Sequence, residues 1–83
     1  MLTAEEFAGM PVEEQVTTIL GQGTELLERI YINYVVKLFR LKDFYVEIWY
    51  QQITNRIDRV QIVQIGDVLH LYESQINISD LFR

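Results

Sequence analysis

The stretch Arg29–Gln51, RIYINYVVKLFRLKDFYVEIWYQ, constrains the fold more than any other part of the chain. Val, Ile, Tyr, Phe and Trp dominate it, and neither Gly nor Pro interrupts it. Side chains of these types fit a pleated sheet surface. The pattern predicts a long β-hairpin with a tight turn at Lys42-Asp43. With Leu41 opposite Phe44, one side of the ribbon pairs Phe39 with Val46, Lys37 with Ile48 and Val35 with Tyr50. The other side pairs Arg40 with Tyr45, Leu38 with Glu47, Val36 with Trp49 and Tyr34 with Gln51. A slip of one residue would exchange the faces of one arm.

Neither side of this ribbon is polar. The Leu41/Phe44/Phe39/Val46/Ile48/Val35/Tyr50 side reads as core. The other side mixes Tyr34, Val36, Leu38, Tyr45 and Trp49 with Arg40, Glu47 and Gln51. One helical layer covers one sheet face. The mixed face is therefore expected either to lie under a terminal segment carrying Leu81 and Phe82, or to meet a partner. Aromatic and Arg side chains together are the usual anchors of protein interfaces.

Upstream, Thr3-Ala-Glu-Glu6 has the spacing of a capping box and predicts a short helix ending near Gly9. Pro11 suits the first turn of a second helix, with Glu13 and Glu14 near its positive end. Val12, Val16, Ile19 and Leu20 form that helix's apolar stripe. Gly21 is placed to end it. Residues 24–29, TELLER, fit a helical turn or the start of a strand, joined by a bulge near Glu28–Arg29. Downstream, 56–64 predicts a third antiparallel strand with Val60 and Ile62 on its apolar side. Val68–Ser74 reads as helix behind Asp67, then Ile76–Ile78 as extended and Ser79 as the cap of a last turn. The expected fold is one α+β domain over residues 1–83: N-terminal helices on a three-stranded antiparallel meander, with a short C-terminal helix.

Composition narrows the function classes. With 83 residues the core is marginal. There is no cysteine, so no disulfide framework and no thiolate chemistry. The opening residues carry acids and lack the basic and apolar segments of a signal peptide. No apolar run is long enough to span a bilayer. A cytoplasmic protein is the simplest expectation. Net charge is −5, and the six acids of residues 1–28 face no Lys or Arg in the same stretch. Such charge suits a solvated helical layer, or an acidic surface that steers a basic partner.

No motif supplies a reaction. His70 is the single histidine and has no nucleophile in a recognisable arrangement around it; an enzyme would have to use it with Asp67 or Tyr72. The acids lack the spacing of a metal or glycosidase site, and the glycines are too dispersed for a phosphate loop. Neither a cofactor nor a metal is expected. Lys42–Val46 resembles the aromatic RNA-reading strand of the RNA-recognition motif in outline only. Asp43 and Tyr45 stand where that motif has small residues, and its β-α-β-β-α-β order is missing.

The functional expectation is a non-enzymatic protein-interaction or regulatory domain. It would pair with itself or with another protein through Tyr34, Val36, Leu38, Arg40, Tyr45, Glu47 and Trp49. The alternative is a small-ligand or single-stranded nucleic-acid module using Lys37, Arg40 and Lys42.

Overall fold

The computed structural model describes residues 2–75. A four-stranded antiparallel sheet in the order β1-β2-β3-β4 forms the middle of the molecule. Helices α1 (Ala4–Ala8) and α2 (Val12–Gln22) precede it. Helix α3 (Ile65–Val68) and a 3-10 helix (Leu69–Gln75) follow it. The expected extended Ile76–Ile78 segment, the Ser79 cap and the covering role of Leu81 and Phe82 lie outside the described residues.

The Thr3 box forms as expected. The Glu6 backbone N–H donates to Thr3 Oγ1, and the Thr3 N–H donates to Glu6 Oε1, each at 3.1 Å. Gly9 caps α1. Pro11 is the N-cap of α2, one residue ahead of its first turn. The helix does not stop at Gly21. It runs through Gln22, and Gly23 ends it, donating its N–H to Ile19 O at 2.7 Å.

The expected three-stranded meander is corrected to four strands. The arm that reads as continuous from Arg29 to Leu41 is two strands, β1 (Thr24–Tyr31) and β2 (Tyr34–Leu41). They fold back at Ile32-Asn33, where Ile32 takes φ 54°. A β-branched residue rarely adopts that conformation, so nothing in the local composition marks the turn. Residues 24–29, open between helix and strand, are strand. The bulge lies at Leu26 rather than near Glu28: Glu25 pairs with Phe39 and Leu27 with Leu38.

β2 and β3 (Phe44–Gln51) pair in the expected register throughout, from Leu41 opposite Phe44 to Tyr34 opposite Gln51. β4 (Arg56–Val63) holds a second bulge. Tyr50 pairs with Ile57 and Trp49 with Arg59, so Asp58 is the extra residue. The bulge brings Ile57 onto the same side as Val60 and Ile62. This explains why the alternation along the strand looks imperfect.

One sheet face packs against α1 and α2. Phe7 and Ile19 meet Phe39, Leu41, Phe44, Val46 and Ile48, with Ile57, Val60 and Ile62 at the margin. The Phe7 and Phe44 ring centroids are 5.6 Å apart. Each fully buried side chain of this size contributes about 1.5–3 kcal/mol, an upper figure because the unfolded chain is already partly compact. The opposite face lies under the 3-10 helix, which packs along β1. Val68–Ser74 is thus helical as expected, but mostly in 3-10 geometry, and the helical run starts at Ile65 with Gln64 as its N-cap rather than behind Asp67.

Candidate interaction surfaces

The mixed face is organised around a buried carboxylate. Glu47 is 3% exposed, and its polar partners come from β1, β3 and the 3-10 helix. Tyr72 Oη donates to Glu47 Oε2 at 2.7 Å, and Arg29 Nη2 lies 3.4 Å from the same oxygen. Trp49 Nε1 donates to Glu47 Oε1 at 3.4 Å. The Arg29 guanidinium stands 5.2 Å from the Trp49 ring centroid and 5.3 Å from that of Tyr72. Arg59 stacks on Trp49 at 4.5 Å. Burial and the adjacent Glu47 carboxylate push the Tyr72 phenol well above its ordinary pKa. Arg29 Nε has no hydrogen-bond partner among the described residues.

The residues expected to meet a partner divide into two groups here. Val36 and Leu38 are fully buried, and Glu47, bonded to the chain's own Tyr72, nearly so. Tyr34, Tyr45 and Trp49 are half-buried, and Arg40 is exposed. Trp49 is engaged edge-on by Tyr31 and Tyr34, at centroid separations of 5.9 and 5.4 Å. Tyr34 Oη donates to Asp58 Oδ2 at 2.9 Å, and that bond raises its pKa. The chain itself thus covers part of this face, which was expected either to lie under a terminal segment or to meet a partner.

The core face shows the reverse. Its Phe39/Leu41/Phe44/Val46 half is sealed, while Val35 and Tyr50 are only half-buried. They line a hollow of about 500 Å³ between α2 and the sheet, with Val16, Leu20, Ile48 and Ile57. Glu25, Glu28 and Lys37 stand on its rim. A neighbouring hollow of about 410 Å³ shares Val16, Tyr50 and Ile57 and extends the groove to Val12 and Glu13. Leu20 is 69% exposed and Val12 47%. Ile30, which pairs with Val35 across the ladder, is 56% exposed and continues the apolar surface.

α2 touches both β2 and β4 and so crosses the sheet. β2 and β3 are eight residues each, about 27 Å long, and a helix is about 10 Å across, so the Val35 and Tyr50 ends of these strands stay outside its cover. Of its stripe, Ile19 is fully buried in the core and Val16 half-buried, while Val12 and Leu20 face outward along the groove. Gln15 anchors the helix by donating Nε2 to Phe7 O at 2.9 Å. The sequence showed this stripe but not the groove, because where α2 crosses the sheet is set by packing that no local pattern records.

Lys37, Arg40 and Lys42 do not converge. Lys37 lies on the helix side of β2 and Arg40 on the other, as residues three apart in a strand must. Lys37 Nζ is 3.4 Å from Glu25 Oε1 and 3.9 Å from Glu28 Oε2. Lys42 occupies the β2–β3 turn at φ 60°. His70 is exposed and lines neither hollow, while Tyr72 points away from it into the Glu47 cluster. Among the described residues no three potential metal ligands gather, and no helix is long and apolar enough to cross a membrane.

Comparison of the chain with protein-family models, curated proteins and solved structures finds no match.

Proposed function

We propose that this chain is a non-enzymatic protein-interaction domain and that its principal docking surface is the groove along α2. One observation carries the proposal: a continuous apolar strip, Val12–Val16–Leu20 on the helix and Ile30–Val35–Tyr50 on the sheet, stays open to water in a chain with little core to spare. Such strips mark binding surfaces. Few polar groups converge inside it to orient a small molecule, which favours a partner with an extended apolar face over a compact ligand. The cytoplasmic setting belongs to the same proposal and rests on the cysteine-free composition.

A displayed library of random peptides, selected on the folded chain, tests this. Enriched peptides should shift backbone amide resonances of Val16, Leu20, Val35 and Tyr50. A selection that enriches nothing, or whose footprint avoids α2, would discard the groove as the docking surface.

Self-association through the mixed face is the second reading. It is favoured by the exposed Arg40 beside half-buried Tyr45, Tyr34 and Trp49. A dimer formed there should dissociate on Arg40→Glu with the fold retained, read by light scattering. A monomer at high micromolar concentration before any substitution removes this reading.

A further inference from the structure

From the charge around the groove we infer its occupant: a basic amphipathic helix of another protein, lying beside α2 on the sheet. This rests on the groove being the docking surface. The two hollows, about 500 and 410 Å³, run along α2 from Leu20 to Val12, about two helical turns. The walls of the groove are apolar on both sides, Leu20 and Val16 from α2 and Val35 and Tyr50 from the sheet. A helix with apolar residues three and four apart would fill it, as such helices fill grooves elsewhere.

The rim selects the sign of the flanking charge. Glu25 and Glu28 stand along β1, and Glu13 stands at the Val12 end. Among the described residues lining the groove Lys37 is the one base, and Glu25 and Glu28 already hold it. The rim thus keeps a net negative charge, and α2 itself contains Glu13 and Glu14 with no Lys or Arg. A second copy of the chain bringing its own α2 into the groove would set acid against acid. An incoming helix with Lys or Arg beside its apolar stripe would instead meet Glu25, Glu28 and Glu13. Electrostatic matching of this kind selects between partners and speeds their encounter.

The test uses the full chain and three synthetic helices of equal length. One has a Leu stripe flanked by Lys, one has the same stripe flanked by Glu, and one is a scrambled Leu/Lys sequence without a stripe. Binding is measured by calorimetry at low and high salt, and the footprint by amide resonance shifts. The Lys-flanked helix alone should bind, with shifts at Val16, Leu20, Val35 and Tyr50. Leu20→Asp, at an exposed position, should weaken it about tenfold or more with an unchanged circular dichroism spectrum. Glu25→Gln with Glu28→Gln should weaken it about threefold to tenfold at low salt and less at high salt.

Equal binding of the Glu-flanked helix in the groove would overturn the basic partner and leave the docking surface standing. Binding of the scrambled helix with no groove footprint would reduce the effect to general charge attraction and overturn the proposal. A low-salt dimer dispersed by Leu20→Asp would make the occupant a second copy. Loss of native groove shifts on deleting residues 76–83 would make it the chain's own tail. Failure of both amphipathic helices to bind would count against the groove itself.

Discussion

Ile32, at φ 54°, holds a β-branched side chain in the left-handed region, where its Cβ crowds the following carbonyl. It is 74% exposed, so little packing repays the conformation. Asn tolerates that region, and Ile32→Asn should raise stability by about 1 kcal/mol. Urea unfolding checks this: the midpoint rises while the slope stays the same. A second residue-level expectation concerns Tyr72. Its raised pKa means the folded protein holds the phenolic proton more tightly than the unfolded chain. The stability from this group is complete below the ordinary pKa of about 10 and is lost as pH climbs above it, by at most about 1.4 kcal/mol per pH unit. Tyr72→Phe removes both the titration and the hydrogen bond to Glu47. It should lower stability by about 1.5–3 kcal/mol at neutral pH, as expected for a bond to a charged group. The gap to the unaltered chain should narrow from about pH 10 upward. Unfolding curves from pH 7 to 11 would test it, and a gap constant across that range would show that the buried phenol is not the titrating group.

At the scale of elements, Gly23 is the joint between α2 and β1. A Cβ there would stand 2.7 Å from Ile19 O and 3.4 Å from Arg40 O, both backbone atoms that side-chain motion cannot relieve. Gly23→Ala should destabilise by about 1–3 kcal/mol, the range for overpacking a close contact. An unchanged thermal midpoint would mean that the helix end and the strand separate more easily than they pack. The same junction shows how far local composition carries. β2 and β3 were legible residue by residue, because apolar alternation on both arms and one short turn leave a single register that buries Leu41, Phe44 and Val46 together. The β1–β2 turn was not legible, because its two residues are Ile and Asn and the first sits in a conformation its side chain disfavours. The bulges at Leu26 and Asp58 were hidden for another reason: each corrects the facing of a strand whose alternation looks broken, and alternation alone cannot say where the extra residue falls. The candidate site was legible only in part. Aromatic residues on the mixed face were visible, yet no local rule says that Tyr72 will reach Glu47 between them. The groove depends on where α2 crosses the sheet, which no local pattern records.

For the whole molecule, charge and apolar surface pull in opposite directions. Three of the six acids of residues 1–28, Glu13, Glu25 and Glu28, stand around the groove formed by Val12, Val16 and Leu20, and that stretch holds no Lys or Arg. Two copies approaching groove to groove gain apolar contact and lose by repulsion between Glu13, Glu25 and Glu28. Screening shortens that repulsion: the Debye length falls from about 10 Å at 0.1 M salt to about 3 Å at 1 M, while apolar attraction persists. The unaltered chain should therefore remain largely monomeric through this surface at low salt and associate weakly as salt rises toward about 1 M. Leu20→Asp, which puts another acid on the exposed apolar strip, should abolish the salt-driven association. Sedimentation velocity across a salt series distinguishes this from pairing through the mixed face. There Arg40 would form ion pairs between copies, and added salt would loosen the dimer. Association that weakens with salt and ignores Leu20→Asp would place self-recognition on the Arg40 side of the sheet. Association that strengthens with salt and vanishes in Leu20→Asp ties it to the groove, whose acids then act as the barrier that keeps identical chains apart while leaving the site open to a basic partner.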